Sequence, residues 1–438
     1  MGPRRSRLAA SQPDTEPVVP AAIPRNGLSR RGLLTTGMLS GAGGLLVGAA
    51  AGAGTTLAVD GGRTSKAAAS VTTAQTGNQR GLYYGPHPPG VVAPQQSHYR
   101  LAAFDLASQV TVQQTAALLR TWSAIAATCM AAQPTADDDA MATGRGPANL
   151  TVTFGVGASL FTRLGLTAQI PAELAPIPAF PADQLDPAAS GGDLMALIGG
   201  TDGIVVAHAF RALVRAAGAT ATQRWQISGF ADSPGATATP TSTPRNLMGQ
   251  LDGTDNPTPE TAGFDAKIYT AAGSGPAWMR GGSYLVVRRI RMLLNDWDTL
   301  GRAEQQNVIG RRKDNGAPLS GGTEHATPDY DAQAADGALL IPPDAHIRLA
   351  NPTANLGATI LRRGFSYDRG VRPDGAPDAG LLFLAYQADP RTGFVPIQQK
   401  LSEADALSHF IVHESNALFA VPAITSSDDY PARSLLTA

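Results

Sequence analysis

A chain of 438 residues with 43% hydrophobic content exceeds one compact domain, so two domains are expected once any leader is removed. Lys plus Arg total 34 against 35 for Asp plus Glu, and a net charge of -1 excludes the basic footprint of a nucleic-acid binder. The single cysteine, Cys129, excludes an internal disulfide and any CxxC metal site, which leaves seven histidines as the main supply of metal ligands.

Ser29-Arg30-Arg31-Gly32-Leu33-Leu34 stands before an uncharged run from Gly32 to Val59 made mostly of Gly, Ala, Leu and Thr. The run is long enough for a membrane anchor, but it is only mildly apolar and two arginines precede it directly. That order reads as a twin-arginine signal, with cleavage between Ala58 and Ala69. Residues 1–80 are therefore expected to be a signal peptide and disordered leader. The mature protein is expected in the periplasm, the cell envelope or outside the cell. The twin-arginine route carries proteins already folded, which suits a chain that acquires a cofactor first.

An N-terminal domain is expected over residues 81–263. His98–Leu106 reads as a strand, and Thr111–Met130 places Val112, Leu119, Trp122, Ile125 and Cys129 on one helix face. Leu150–Val156 and Gly192–Gly199 read as strands on either side of a Pro-rich loop, Pro171–Pro187. Gly203–Gly218 is helical in pattern and Thr222–Phe230 is strand-like. The order β-α-β-β-α-β is that of a ferredoxin-like unit. After the linker Ala231–Gly263, residues 264–438 repeat it less clearly. Strands are expected at Ser283–Leu293, His346–Leu349, Leu381–Gln387 and Asn416–Val421, with helices at Trp297–Gly310 and Pro396–Ser408. The fold class is α+β, two tandem ferredoxin-like domains of antiparallel sheets with helices.

Three segments carry candidate chemistry. In Asn246–Pro257, glycines on both sides let Asp252 project a carboxylate into a cavity, although the run also reads as an Asx-rich surface turn. In Ala345–Pro352, alternation sets His346 opposite Ile347 and Leu349; it is either a satisfied structural histidine or the one neutral imidazole that haem ligation needs. In Leu361–Tyr367, one of Arg362 and Arg363 is expected to turn inward toward an anion or a simple salt-bridge partner.

Taken together, Gly249-x-x-Asp252-Gly253, His346 and Arg362 resemble the signature of the dye-decolorizing, or DyP-type, haem peroxidases. Thr243–Gly249, Pro276–Tyr284, Ile309–Asp314, His346–Pro352 and Leu361–Gly364 resemble the exported deferrochelatase/peroxidase branch, and the likeness runs from about Tyr84 to Pro422. Asp255, Ser366 and the long loop after Ala172 depart from it, which bears on substrate access and pocket polarity.

The resemblance implies the DyP-type fold and one haem b per chain, with His346 as the proximal iron ligand. It implies that Asp252 moves a proton between the peroxide oxygens while Arg362 stabilises charge on the leaving oxygen. Gly253, Thr254, Asp255, Asn351, Pro352 and Thr353 are expected to line the haem, and Asp405 is a candidate partner for the imidazole. A free Asp titrates near pH 3.9 and a free His near 6.5, so a carboxylate in the acid–base role implies a mildly acid optimum. Hydrogen peroxide and small-molecule or dye reductants are the implied partners, and a homodimer is expected. Trp225, Trp278 and Trp297 are candidates for relaying electrons, each also readable as core. Two other readings use the same residues: a deferrochelatase working with iron-uptake components, and a non-enzymatic haem-binding protein.

Overall fold

The computed structural model describes residues 82–233, 236 and 243–437; the leader expected over residues 1–80 and part of the linker lie outside them. Alternation governs the first half. In His98–Leu106 (β1), Tyr99, Leu101 and Ala103 face one side while Ala102, Phe104 and Leu106 face the other, and both sets are buried. Val112–Met130 (α1) starts at a capping box, with Gln114 N donating to Thr111 Oγ1 and Thr111 N to Gln114 Oε1. Thr151–Gly157 (β2) leads through Ala158–Arg163 (α2) and the Pro-rich loop to Leu194–Gly200 (β3). Gly203–Ala217 (α3) is capped by Asp202, which accepts from Ile204 N and Val205 N, and stops at Gly218; Ala221–Phe230 (β4) follows.

The second half contains Phe264–Ile268 (α4), Ser283–Met292 (β5), Leu294–Trp297 (α5), Arg302–Ile309 (α6) and His346–Ala350 (α7). Leu361–Arg362 (β6), Phe365–Val371 (β7), Pro377–Gln387 (β8), Phe394–Ala404 (α8), Ile411–Val421 (β9) and Arg433–Leu436 (α9) complete it.

All pairings among these strands are antiparallel. Eight strands run β5-β9-β2-β3-β1-β4-β7-β8, and the β5–β8 pairing closes them into a barrel-like ring; β6 joins along β8. The ring has two thin seams: β2 meets β9 only at Val156↔Ala420 and Gly157↔Phe419, and β4 meets β7 only at Phe230↔Ser366. Leu101, Leu197, Ile227, Leu285, Val287, Leu384 and Phe419 fill the interior. Outside, α1 and α3 cover the first half through Trp122, Val205 and Leu213, with Phe154 of β2 against Trp122. On the outer face of the second half, Val286 and Ala385 pack beneath Phe394 and Ile397 of α8. Strands β5 and β8 approach so closely that a Cβ on Gly380 would stand 2.1 Å from Ile290 O.

Three expectations need correction. His346–Leu349 is the first part of a helix, not a strand; over so few residues, His346 and Leu349 fit a spacing of three as well as Ile347 and Leu349 fit a spacing of two. The single helix expected over Trp297–Gly310 is two, separated where Gly301 adopts an extended conformation and starts α6. The helix expected to run to Ser408 ends at Ala404, where Asp405 turns extended and caps a short 3₁₀ segment, Ala406–His409.

Candidate active site

The Asp252 loop is a tight hairpin locked from several sides. Asn246 N donates to Gln250 O at 3.0 Å and Asp252 N to Pro244 O at 2.8 Å, while Gly249 takes the left-handed conformation at φ +77°. Arg245 fastens the hairpin to a neighbouring loop by donating to Gly249 O, Lys313 O and Asp314 O. Beneath, buried Trp297 donates from Nε1 to Met248 O at 3.2 Å. Gly253, at φ +134°, then turns the chain into Thr254, Asp255 and Asn256.

Asn256 acts as a clamp on the next element. Its Nδ2 donates to Arg362 O at 2.7 Å, and its Oδ1 accepts from Arg362 N at 3.0 Å. This reciprocal pair holds the two-residue β6 much as another strand would. Arg362 Nη1 consequently reaches Asp252 Oδ1 at 2.7 Å, and Asn246 Nδ2 donates to the other carboxylate oxygen at 3.3 Å. Arg363 turns away to donate to Ala93 O. Of the two adjacent arginines, Arg362 is the one that meets an anion.

His346 opens α7. Its Nδ1 lies 2.7 Å from Oδ2 of Asp405, which is 2% exposed. A carboxylate can only accept here, so Nδ1 carries the proton and the neutral ring keeps its lone pair on Nε2. Asp405 is itself fixed: its Oδ1 accepts from Leu407 N, and Ala406 N donates to Asp344 O, which joins the end of α8 to the approach to α7.

The imidazole is half-buried, with 29% of its side-chain surface open to a ligand. Burial opposes its cation, Asp405 favours it and prevails, and Arg362 and Asp252 act with opposite signs; the net pKa lies above the ordinary histidine value. Asp252 and Arg362 are thus close enough for their charges to act on the imidazole.

The remaining predicted residues divide into two groups. Thr254 Oγ1 donates to Glu324 Oε1 at 3.0 Å, and Asp255 supports the charge of Arg311, which burial otherwise disfavours. Asn351 is committed locally: its Nδ2 donates to Arg348 O and its Oδ1 accepts from Ala354 N. Pro352 starts the short turn containing exposed Thr353. Sequence reasoning gave no role to Asn246, Asn256, Arg311 or Glu324. The asparagines stood within the suspect Asp252 run and Arg311 within a matched motif, but nothing in the sequence marked Glu324, which accepts from both Thr243 and Thr254. Of the three tryptophans, Trp297 is fully buried; Trp225 and Trp278 are partly exposed.

These residues fit a planar iron porphyrin. One imidazole nitrogen has no partner among the described residues and the other is fixed by a carboxylate, the arrangement that orients a metal-binding histidine. Asp252 and Arg362 retain 21% and 30% of their side-chain surface open, available to a small polar ligand.

Comparison with known proteins gives concordant results. The family model described as Dyp-type peroxidase, N-terminal, matches residues 88–231, and the Dyp-type peroxidase, C-terminal, model matches residues 243–426. A dye-decolorizing peroxidase from Thermobifida fusca is 45% identical over 345 residues, covering 76% of this chain and 80% of the relative. A deferrochelatase from Escherichia coli K12 is 36% identical over 374 residues, covering 82% and 88%. The solved structure of ferric DtpA from Streptomyces lividans matches with a TM-score of 0.81 at 50% identity, covering 83% of this chain and 98% of that one.

Proposed function

The chain belongs to the Dyp-type peroxidase family, and from that premise we propose that His346, Asp252 and Arg362 divide the chemistry of a haem-dependent dye-decolorizing peroxidase among them. The enzyme reduces hydrogen peroxide and oxidises a reductant. The observation that carries this assignment is a pair of fixed contacts, a carboxylate-oriented imidazole and an aspartate bonded to an arginine, whose charges bear on one another.

When bound, haem supplies the iron centre that passes two electrons to peroxide and regains them from the reductant. His346 would hold that iron through Nε2, its Nδ1 being engaged by Asp405. Asp252 takes a proton from one peroxide oxygen and delivers it to the other, so the departing oxygen leaves as water. Arg362, held by the Asn256 clamp, directs Nη1 to where negative charge gathers as the O–O bond breaks. In this reading Gly253, Thr254, Asp255, Asn351, Pro352 and Thr353 form the rim around the porphyrin. The sheet connectivity supports a tandem ferredoxin-like origin: β4-β1-β3-β2 and β9-β5-β8-β7 are the same order, one in each half.

A deferrochelatase reading is favoured by the Escherichia coli relative and uses the same residues. Analysis of porphyrin products by mass after turnover separates the two. Dye bleaching with peroxide and intact haem supports the peroxidase; free protoporphyrin supports the deferrochelatase. Export through the twin-arginine route is supported by the Arg30-Arg31 leader alone. Periplasmic or secreted protein that is lost on changing both arginines to lysine is the result it requires.

A further inference from the structure

At one end of the barrel interior, three arginines share one carboxylate. Arg289 and Arg291 lie on β5 two and four residues past Val287, on the strand face that lines the barrel. Glu414 sits at the irregularity where the β5–β9 register shifts between Arg289 and Ile290. It accepts from Arg291 Nε at 2.7 Å and from Arg372 Nη1 at 3.3 Å, and lies 3.2 Å from Arg289 Nε.

The cluster is largely withdrawn from water: Arg289, Arg291 and Glu414 are 16%, 12% and 12% exposed, and Arg372 34%. The nearby acids do not balance it. Asp374, 3.6 Å from Arg372, is 63% exposed and screened by water; Asp378, less exposed, is set against the exposed Arg369 at 3.7 Å.

The donors are left in surplus. Arg289 Nε, despite its distance from Glu414, is not aligned for a hydrogen bond, and Arg372 Nε has no hydrogen-bond partner among the described residues. Tyr367, fully buried on β7 and electrostatically coupled to Glu414, Asp378, Arg289 and Arg291, has a hydroxyl with none. Partly desolvated guanidinium groups in excess of carboxylate are costly unless an anion completes them, and their forked donors suit an oxyanion.

We propose that this end of the barrel is a binding site for a small free oxyanion, a carboxylate, sulfonate or phosphate group, held by Arg289, Arg291, Arg372 and the Tyr367 hydroxyl. The site is separate from the peroxide centre. On β8, Arg289 pairs with Leu382 and Arg362 with Ala385, three residues or about 10 Å along the strand, and these partners face opposite sides of the sheet. An organic anion bound here would be carried by the enzyme without blocking the haem space.

The test is calorimetric titration of the full-length, haem-loaded protein with inorganic phosphate and with benzenesulfonate, at constant ionic strength balanced with chloride. Wild type is expected to bind at least one of them saturably. Arg372→Gln should weaken binding about tenfold through loss of one charge-assisted contact, and Glu414→Gln should tighten it by removing the competing carboxylate. Absence of saturable binding, or equal binding in wild type and Arg372→Gln, would overturn the proposal. If Glu414→Gln does not fold, the partly exposed Arg372 position decides alone. No turnover is measured, so the result is independent of the peroxidase assignment.

Discussion

Arg362 donates from Nη1 to Asp252 Oδ1 at 2.7 Å, joining residues 110 positions apart in the chain. The contact unites a glycine-flanked hairpin and a two-residue strand that share no local structure. It makes the two side chains a coupled unit in which each fixes the direction of the other.

Replacement of either member should therefore slow the reaction with peroxide while leaving haem in place. Asp252→Asn keeps the shape but removes the proton acceptor, and a loss of roughly 10²–10⁴-fold in rate is expected. Arg362→Leu should cost about 10²–10³-fold. Stopped-flow mixing with peroxide measures both, and an unchanged rate in Asp252→Asn would remove it from the mechanism.

The support for Arg362 comes from a residue that contacts no reacting atom. Asn256→Ala strips two hydrogen bonds from the Arg362 backbone and leaves both groups part-buried. A stability loss of about 1–3 kcal/mol is expected, together with a slower peroxide step. Chemical denaturation and stopped-flow on the same variant read the two effects. Asn256→Asp, which keeps the acceptor for Arg362 N but sets a carboxylate oxygen against Arg362 O, should not restore the clamp.

Asp405→Asn preserves the cap on Leu407 N but replaces the charged acceptor of His346 Nδ1. Haem affinity is expected to fall by roughly 10–100-fold. Transfer of haem to excess apomyoglobin gives the rate of loss directly; a rate equal to wild type would show that the contact does not tune the iron.

A pH effect arises away from the site. His413 is buried on β9, and burial, then the neighbouring Arg288 charge, push its pKa down to about 3. The folded value lies below the unfolded value of about 6.5, so the neutral ring's contribution is complete above pH 6.5. It is lost progressively as pH falls toward 3, with a slope of at most about 1.4 kcal/mol per pH unit. Unfolding titrations of wild type and His413→Gln between these limits should show the shallower slope in the variant.

The sequence exposed most clearly what repetition reinforces. Alternation over nine residues placed the first strand at His98–Leu106, the same bounds that form, and the first long helix differs only at its capping residue Thr111. Five residues around His346 could not separate the two periods, and the packing of their helix against α8 is something alternation does not encode. At the site, residue types in matched motifs singled out Asp252, His346 and Arg362 as candidates. Their spatial pairing depends on the Asn256 clamp and on ring closure through β5 and β8, both made by residues far apart in the chain. Glu324 remained silent because a lone acid in a loop carries no periodic or spacing signal.

The most direct test of the central claim is the optical spectrum of haem-loaded protein before and after stoichiometric peroxide, in wild type and in His346→Ala. Wild type should show a ferric Soret band that shifts with peroxide and returns on adding a dye, while His346→Ala should lose its haem or bind it with an altered band. Haem bound equally well, with an identical spectrum and peroxide response in His346→Ala, would contradict the assignment of His346 as the iron ligand.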